Sequence, residues 1–154
     1  MTGKFRKRSL IVSGLSILLL SILATSFAAS EMESDKEVEA RKGALDLAGA
    51  FSNDGFKIRD GHWSGMIKPK DRALIAVNLY AGNHYWFSVG ATAQAKKLAV
   101  TVYDETGQQV TSESYNEGTK AAAGFSPTNS GQYFVSVGLV EGEESGVCFL
   151  YSYK

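Results

Sequence analysis

Ala121–Val137, AAAGFSPTNSGQYFVSV, decides the fold. Ala121–Phe125 has the composition of a strand, and Ser126-Pro127 stops it. Thr128-Asn129-Ser130-Gly131 carries turn chemistry, with Gly131 available for positive φ. Beyond the turn, Tyr133, Val135 and Val137 alternate along one face of a second strand. Two short antiparallel strands joined this way point to a small all-β domain and carry no reaction by themselves.

Working outward, the same grammar repeats. His62–Ile67, Ala73–Tyr80, His84–Val89, Lys97–Tyr103, Gln108–Ser112, Ala121–Phe125, Gln132–Leu139 and Val147–Tyr153 read as about eight strands. Turns at Lys68-Pro69-Lys70-Asp71, Ala81-Gly82-Asn83 and Asp104-Glu105-Thr106-Gly107 separate them. In Ala73–Tyr80, Ala73, Ile75, Val77 and Leu79 share one face, and Leu74, Ala76 and Asn78 the other. Strands this short with no helical pattern between them favour an antiparallel β-sandwich. Tyr85–Gly90 (YWFSVG) echoes Tyr133–Gly138 (YFVSVG), which marks two strands in equivalent positions. In both, the first, third and fifth residues are expected to face the core, and Trp86 and Phe134 to face away.

One helix precedes the sandwich, over Glu31–Phe51, ended by Asn53-Asp54-Gly55. Ser34-Asp35-Lys36-Glu37 matches a capping box. Acidic residues crowd the first turn, where the helix dipole favours them. Val38, Leu45, Ala48 and Phe51 fall on one face, widened by Ala44 and Leu47. Glu37 and Arg41 stand four apart in the favourable order.

Residues 1–30 read as an export signal. Lys4, Arg6, Lys7 and Arg8 precede the uncharged run Leu10–Leu23, and small residues follow to Ser30, with cleavage expected after Ala28 or Ser30. The alternative is a retained anchor, since about 20 apolar residues span a bilayer. The organisation is therefore 1–30 signal peptide, 31–55 helix and 56–154 sandwich, and the location periplasmic or secreted. All four charges of the signal are basic. Of the 16 basic and 16 acidic residues in the chain, 12 basic and 16 acidic lie beyond residue 30, a net charge of −4. That excludes the footprint of a nucleic-acid binder, and no membrane contact is expected once the signal is removed. With 154 residues less 30, the remaining 124 are enough for one domain with its own core. The single cysteine, Cys148, cannot form an intrachain disulfide. Its neighbours Val147 and Phe149 favour a buried small hydrophobe over a reactive thiol.

From about residue 73 to 154 the chain resembles bacterial pre-peptidase C-terminal domains. The pieces that carry the resemblance are Tyr85-Trp86-Phe87, Leu98–Asp104, Gly107 and Ser130-Gly131-Gln132-Tyr133. The resemblance implies a secreted jelly-roll sandwich. Its motifs are turn and core residues, so it says little of chemistry. The Asp-rich loop that accompanies calcium in some such domains is missing, and Asp104-Glu105 alone does not build a calcium site.

Candidate chemistry is sparse. His62 and His84 lack metal-ligand spacing, a Cys148–His dyad needs long-range convergence, and Gly124-Phe125-Ser126 is no nucleophile elbow. No catalytic, cofactor or metal residue is assigned, and no enzyme is expected. Trp63, Trp86 and Phe134 are the better indication. Exposed aromatic rings on a sandwich stack sugars or accept a peptide strand, but the helix must also bury its apolar face, and an outward Trp86/Phe134 patch would suit it. The expected function is an exported non-catalytic module that binds a protein or cell-envelope component. The alternative is a carbohydrate-binding accessory domain, with an envelope glycan as partner. A small hydrolase or metalloprotein is the third class.

Overall fold

The computed structural model describes residues 35–154. The export signal, its cleavage position, the start of the helix and the Ser34 cap lie outside the described residues. Helix α1 is described from residue 35 to residue 52. It ends as the sequence predicts: Asp54 N donates to Phe51 O (3.0 Å), Gly55 N donates to Ser52 O (3.1 Å), and Gly55 takes φ 90°.

Nine strands follow: β1 (Lys57–Ile58), β2 (Trp63–Ile67), β3 (Arg72–Leu79), β4 (Tyr85–Ala91), β5 (Ala95–Tyr103), β6 (Glu113–Glu117), β7 (Lys120–Phe125), β8 (Gly131–Gly142) and β9 (Ser145–Tyr153). The larger sheet runs β1-β9-β4-β7-β6, with β2 also on β9; the smaller runs β3-β8-β5. All pairings are antiparallel. Successive strands from β2 to β5 change sheet at each step, and β8 and β9 do so again, which is the jelly-roll winding of a β-sandwich.

Period-two alternation fixes which side chains fill the space between the sheets. Tyr85, Phe87 and Val89 of β4 point inward from the larger sheet, and Tyr133, Val135 and Val137 of β8 from the smaller; all six are buried in one cluster. The echoed hexapeptides therefore hold equivalent places, because β4 and β8 are each the middle strand of their sheet's inner three. Phe87 is fully buried, and truncating such a ring to alanine costs about 3–5 kcal/mol.

Three details differ from the sequence pattern. The fifth predicted strand, Gln108–Ser112, is reduced to a bridge between Gln109 and Tyr103, and the strand proper is the wholly exposed β6 beyond it. Gly131 is not at positive φ; it opens β8 opposite Leu79. The third concerns α1. Val38 is 65% and Leu45 41% exposed, whereas Ala40, Ala44, Leu47 and Ala48 are buried.

The cause is how near the helix lies to the sheet. Several outward residues of the larger sheet beneath it are small: Gly90, Gly146 and Cys148. A Cβ at Gly90 would run into the Ala40 carbonyl oxygen and the Ala44 nitrogen, and would stand 2.7 Å from the Gly43 carbonyl carbon. Only the Ala40–Gly43–Ala44 stripe is slim enough for that approach, so the helix turns Val38 and Leu45 away while Leu47 stays buried and Phe51 reaches Trp86. Ala40, Ala44 and Ala48 form a second core with Cys148 and Leu150. The hydroxyls of Ser88, Thr92 and Ser152 are also buried, with no hydrogen-bond partner among the described residues.

Candidate functional site

Trp86, on the outward face of β4, spreads its ring over Gly124 of β7; a Cβ at Gly124 would stand 2.9 Å from its Cζ2. From above, Phe51 of α1 stacks on it at 4.3 Å between centroids and 7° between planes. His84 lies 6.1 Å from the same indole. The helix therefore covers Trp86, as an apolar face needs. Phe134 cannot share that patch. It stands on β8 of the other sheet, between Ala76 and Tyr103, and the outward faces of two packed sheets point in opposite directions. The expected Trp86/Phe134 surface does not exist.

The histidines and the cysteine are separated in the same way. His62 Nε2 is 3.5 Å from Glu37 of α1, and His84 Nε2 is 3.9 Å from Glu113. Glu37 thus faces the sheet and forms no pair with Arg41. Cys148 is fully buried. Burial pushes its thiol above the ordinary range, and the Ser64 hydroxyl and Arg41 pull it back only in part. A protonated, covered thiol is a poor nucleophile. Among the described residues no three His, Cys, Asp or Glu side chains gather as metal ligands would. Asp104 is occupied by its own turn: Oδ1 accepts from Thr106 N (2.9 Å), Thr106 Oγ1 (2.7 Å) and Gln108 N (3.0 Å). The Thr106 hydroxyl, then the Gln108 amide, holds this carboxyl below its usual value.

Trp63 is different. It opens β2, which among the described residues pairs only with β9, and its register with Phe149 turns it to the core side rather than off the core face, so that it packs against the main core and stays partly exposed at the margin. Its ring lies across Gly65, where a Cβ would stand 2.7 Å from Cζ2. No aromatic ring stacks on it among the described residues. β3, the next strand, is the free edge of the smaller sheet, and the sandwich opens along the seam between the two.

Clefts lie on both sides of Trp63. One, of about 250 Å³, is bounded by Arg59, His62, Asn78 and Tyr151. The Arg59 guanidinium stands over the Tyr151 ring at 5.9 Å, and Arg59 N donates to Tyr151 O (2.9 Å), which fixes the loop between β1 and β2. The other, of about 510 Å³, is bounded by Met66, Lys68, Lys70, Arg72 and Glu144, with Asp71 beside them. The turn between β2 and β3 is pinned to the smaller sheet: Lys70 N donates to Leu139 O (2.8 Å) and Leu139 N to Asp71 O (3.2 Å). Lys70 is at φ 71°, where a side chain is strained.

Sequence pattern singled out Trp63 but treated Lys68–Asp71 only as a turn and left Arg72 unread. The missed signal was charge density. Three of the 12 cations beyond residue 30 lie in five positions, beside an aromatic ring. Arg59 and Tyr151 carry no such signal, because 92 residues separate partners that meet only through the β9 ladder.

No family model matches the chain, and no curated protein matches it in sequence. Among the described residues no helix is long and apolar enough to cross a membrane. Among solved structures, one described as "CBM4 structure and function" is 18% identical, covers 65% of this chain and 79% of its own, and superposes with a TM-score of 0.41. That likeness assigns neither a family nor a ligand; the chain is a jelly-roll β-sandwich with a helix laid on its larger sheet.

Proposed function

We propose that the chain is an exported, non-catalytic β-sandwich module that binds a cell-envelope component, and that the β2–β3 seam around Trp63 is where it binds. The observation that supports this most is the indole of Trp63. A large ring laid over a glycine, packed on the core and partly exposed between two clefts, offers an apolar contact with hydrogen-bonding groups at its margins. Trp86 has the same glycine beneath it but is taken by the helix. The buried Cys148 and the two histidines, each directed at a glutamate, are poor material for a nucleophile or a metal centre. The resemblance to pre-peptidase C-terminal domains belongs to the same proposal, as that of an exported accessory module.

A second ligand class, carbohydrate, is favoured over protein by the dimensions of the seam. Clefts of about 250 and 510 Å³ beside one ring suit a short chain of sugar units.

The two tryptophans make the test simple. A Trp86→Phe variant keeps a ring against Phe51 and leaves Trp63 as the sole indole. Its emission is titrated with solubilised envelope fragments. A saturable change in Trp63 emission, lost in Trp63→Ala by calorimetry on the otherwise unchanged chain, is the expected result. Binding that survives Trp63→Ala places the site elsewhere, and no binding to any envelope fraction ends the proposal.

A further inference from the structure

Lys68, Lys70 and Arg72 surround the larger cleft beside Trp63, in a chain whose residues beyond 30 carry a net charge of −4. Asp71 and Glu144 line the same cleft, yet none of the three cations forms an ion pair among the described residues. Three cations against two carboxylates leave the cleft lining with a formal excess of one positive charge, on a chain that is otherwise acidic beyond residue 30.

Lys70 adds an independent observation. At φ 71° glycine would serve the turn with less strain, and the turn needs only the Lys70 backbone, through its N–H to Leu139 O. A strained side-chain-bearing residue at a cleft is where a used group is to be sought. The ammonium is the part of Lys70 that the turn does not require.

We infer that the seam selects an anionic glycan, a saccharide carrying carboxylate or phosphate groups, with a sugar ring on Trp63 and the anionic substituent toward Lys68, Lys70 and Arg72. This rests on the reading of the seam as a binding site. The lysines act as point charges that tolerate either anion, and Arg72 adds a planar fork for a carboxylate or phosphate edge. Exposed charges of this sort are screened by salt, so the selectivity is expected to fade as ionic strength rises.

The full chain is titrated by calorimetry, and its Trp86→Phe form by emission, with three probes: oligogalacturonate, its neutral methyl ester, and a glycerol-phosphate oligomer. The expected result is that one or both anionic probes bind and the ester binds weakly, with Trp63 responding. The preferred anion identifies the source. Lys70→Gly is expected to lose roughly threefold to fivefold in affinity while its melting temperature stays level or rises. Lys68→Gln and Arg72→Gln are each expected to lose a similar factor. Equal binding of ester and acid at Trp63 overturns the anion selectivity and leaves the site in place. No Trp63 response to any probe removes both. Binding to anionic phospholipid vesicles with none to the saccharides overturns the inference in favour of a lipid surface. A Lys70→Gly chain that melts lower and binds unchanged would show the residue to be structural.

Discussion

Trp86 and Trp63 are laid down in the same way and used differently. Each indole spreads over a glycine of its own sheet, Gly124 beneath one and Gly65 beneath the other. Both rings are partly buried, but Trp86 receives Phe51 as a roof at 4.3 Å, whereas Trp63 packs on the main core and lines two clefts. What separates them is the third layer. α1 crosses the larger sheet where several of its outward residues are small, and the stripe that allows this ends at Phe51, above Trp86. Trp63 lies at the seam between the sheets, where no aromatic ring of the described residues stacks on it. A glycine under a tryptophan is therefore not a sign of function in this fold.

The largest expected disturbance removes the common support. β9 pairs with β2 through Trp63↔Phe149 and with β4 through Trp86↔Ser152. Deleting Tyr151–Lys154 takes away the partners of Tyr85, Trp86 and Phe87 and those of β1. Destabilisation by more than about 3 kcal/mol is expected, with both indoles shifting to longer emission wavelengths. An unchanged melting temperature would mean that the closing strand does not hold the two sites together.

Gly90→Leu should separate them. The new side chain has to enter the space of the Ala40 and Ala44 backbone, so α1 is expected to lift at a cost of about 1–3 kcal/mol. Trp86 should become solvated while Trp63 keeps its emission and any ligand affinity. Parallel changes at both rings would show that α1 supports the seam as well.

The smallest effect is expected at Asp104. Its carboxyl titrates below the ordinary value of 3.8 because Thr106 and Gln108 donate to the charged form. A depressed folded-state value contributes stability that is whole above the ordinary value and is lost as pH falls through the lower one. Thr106→Ala should raise the Asp104 value toward 3.8, read by NMR titration, with both tryptophans unaffected. No upward movement would show that the backbone donors alone hold the turn.

Parity along each strand was legible from sequence, and it placed Tyr85, Phe87, Val89 and their counterparts on β8 in the core. It also showed that Trp86 and Phe134 face outward. What parity leaves open is which sheet a strand joins, so two outward residues were assigned to one patch when they lie on opposite sides of the molecule. The helical stripe was misjudged for a related reason. Hydropathy favours Val38 and Leu45, but contact distance is set by the sheet, and Gly90 admits only Ala40, Gly43 and Ala44. β6 (ESYNE) is wholly exposed and lacks apolar alternation, while β1 is two residues long; neither leaves a periodic trace. At the candidate site the tryptophan was visible and the basic turn was readable in composition, but the cleft joining them depends on two edges brought together by the winding of the chain.

The layer under α1 has a kinetic consequence. The hydroxyls of Ser88, Thr92 and Ser152 are buried there with no protein partner among the described residues, so that exposing them to solvent on opening costs little. Parting the helix from the sheet is therefore expected to cost less than melting the sandwich. The chain has one thiol, and it lies in that joint. Alkylation of Cys148 would act as a clock for helix detachment, running faster than global unfolding and stopping when the joint is locked. The buried cysteine is thus placed to report when the fold first opens.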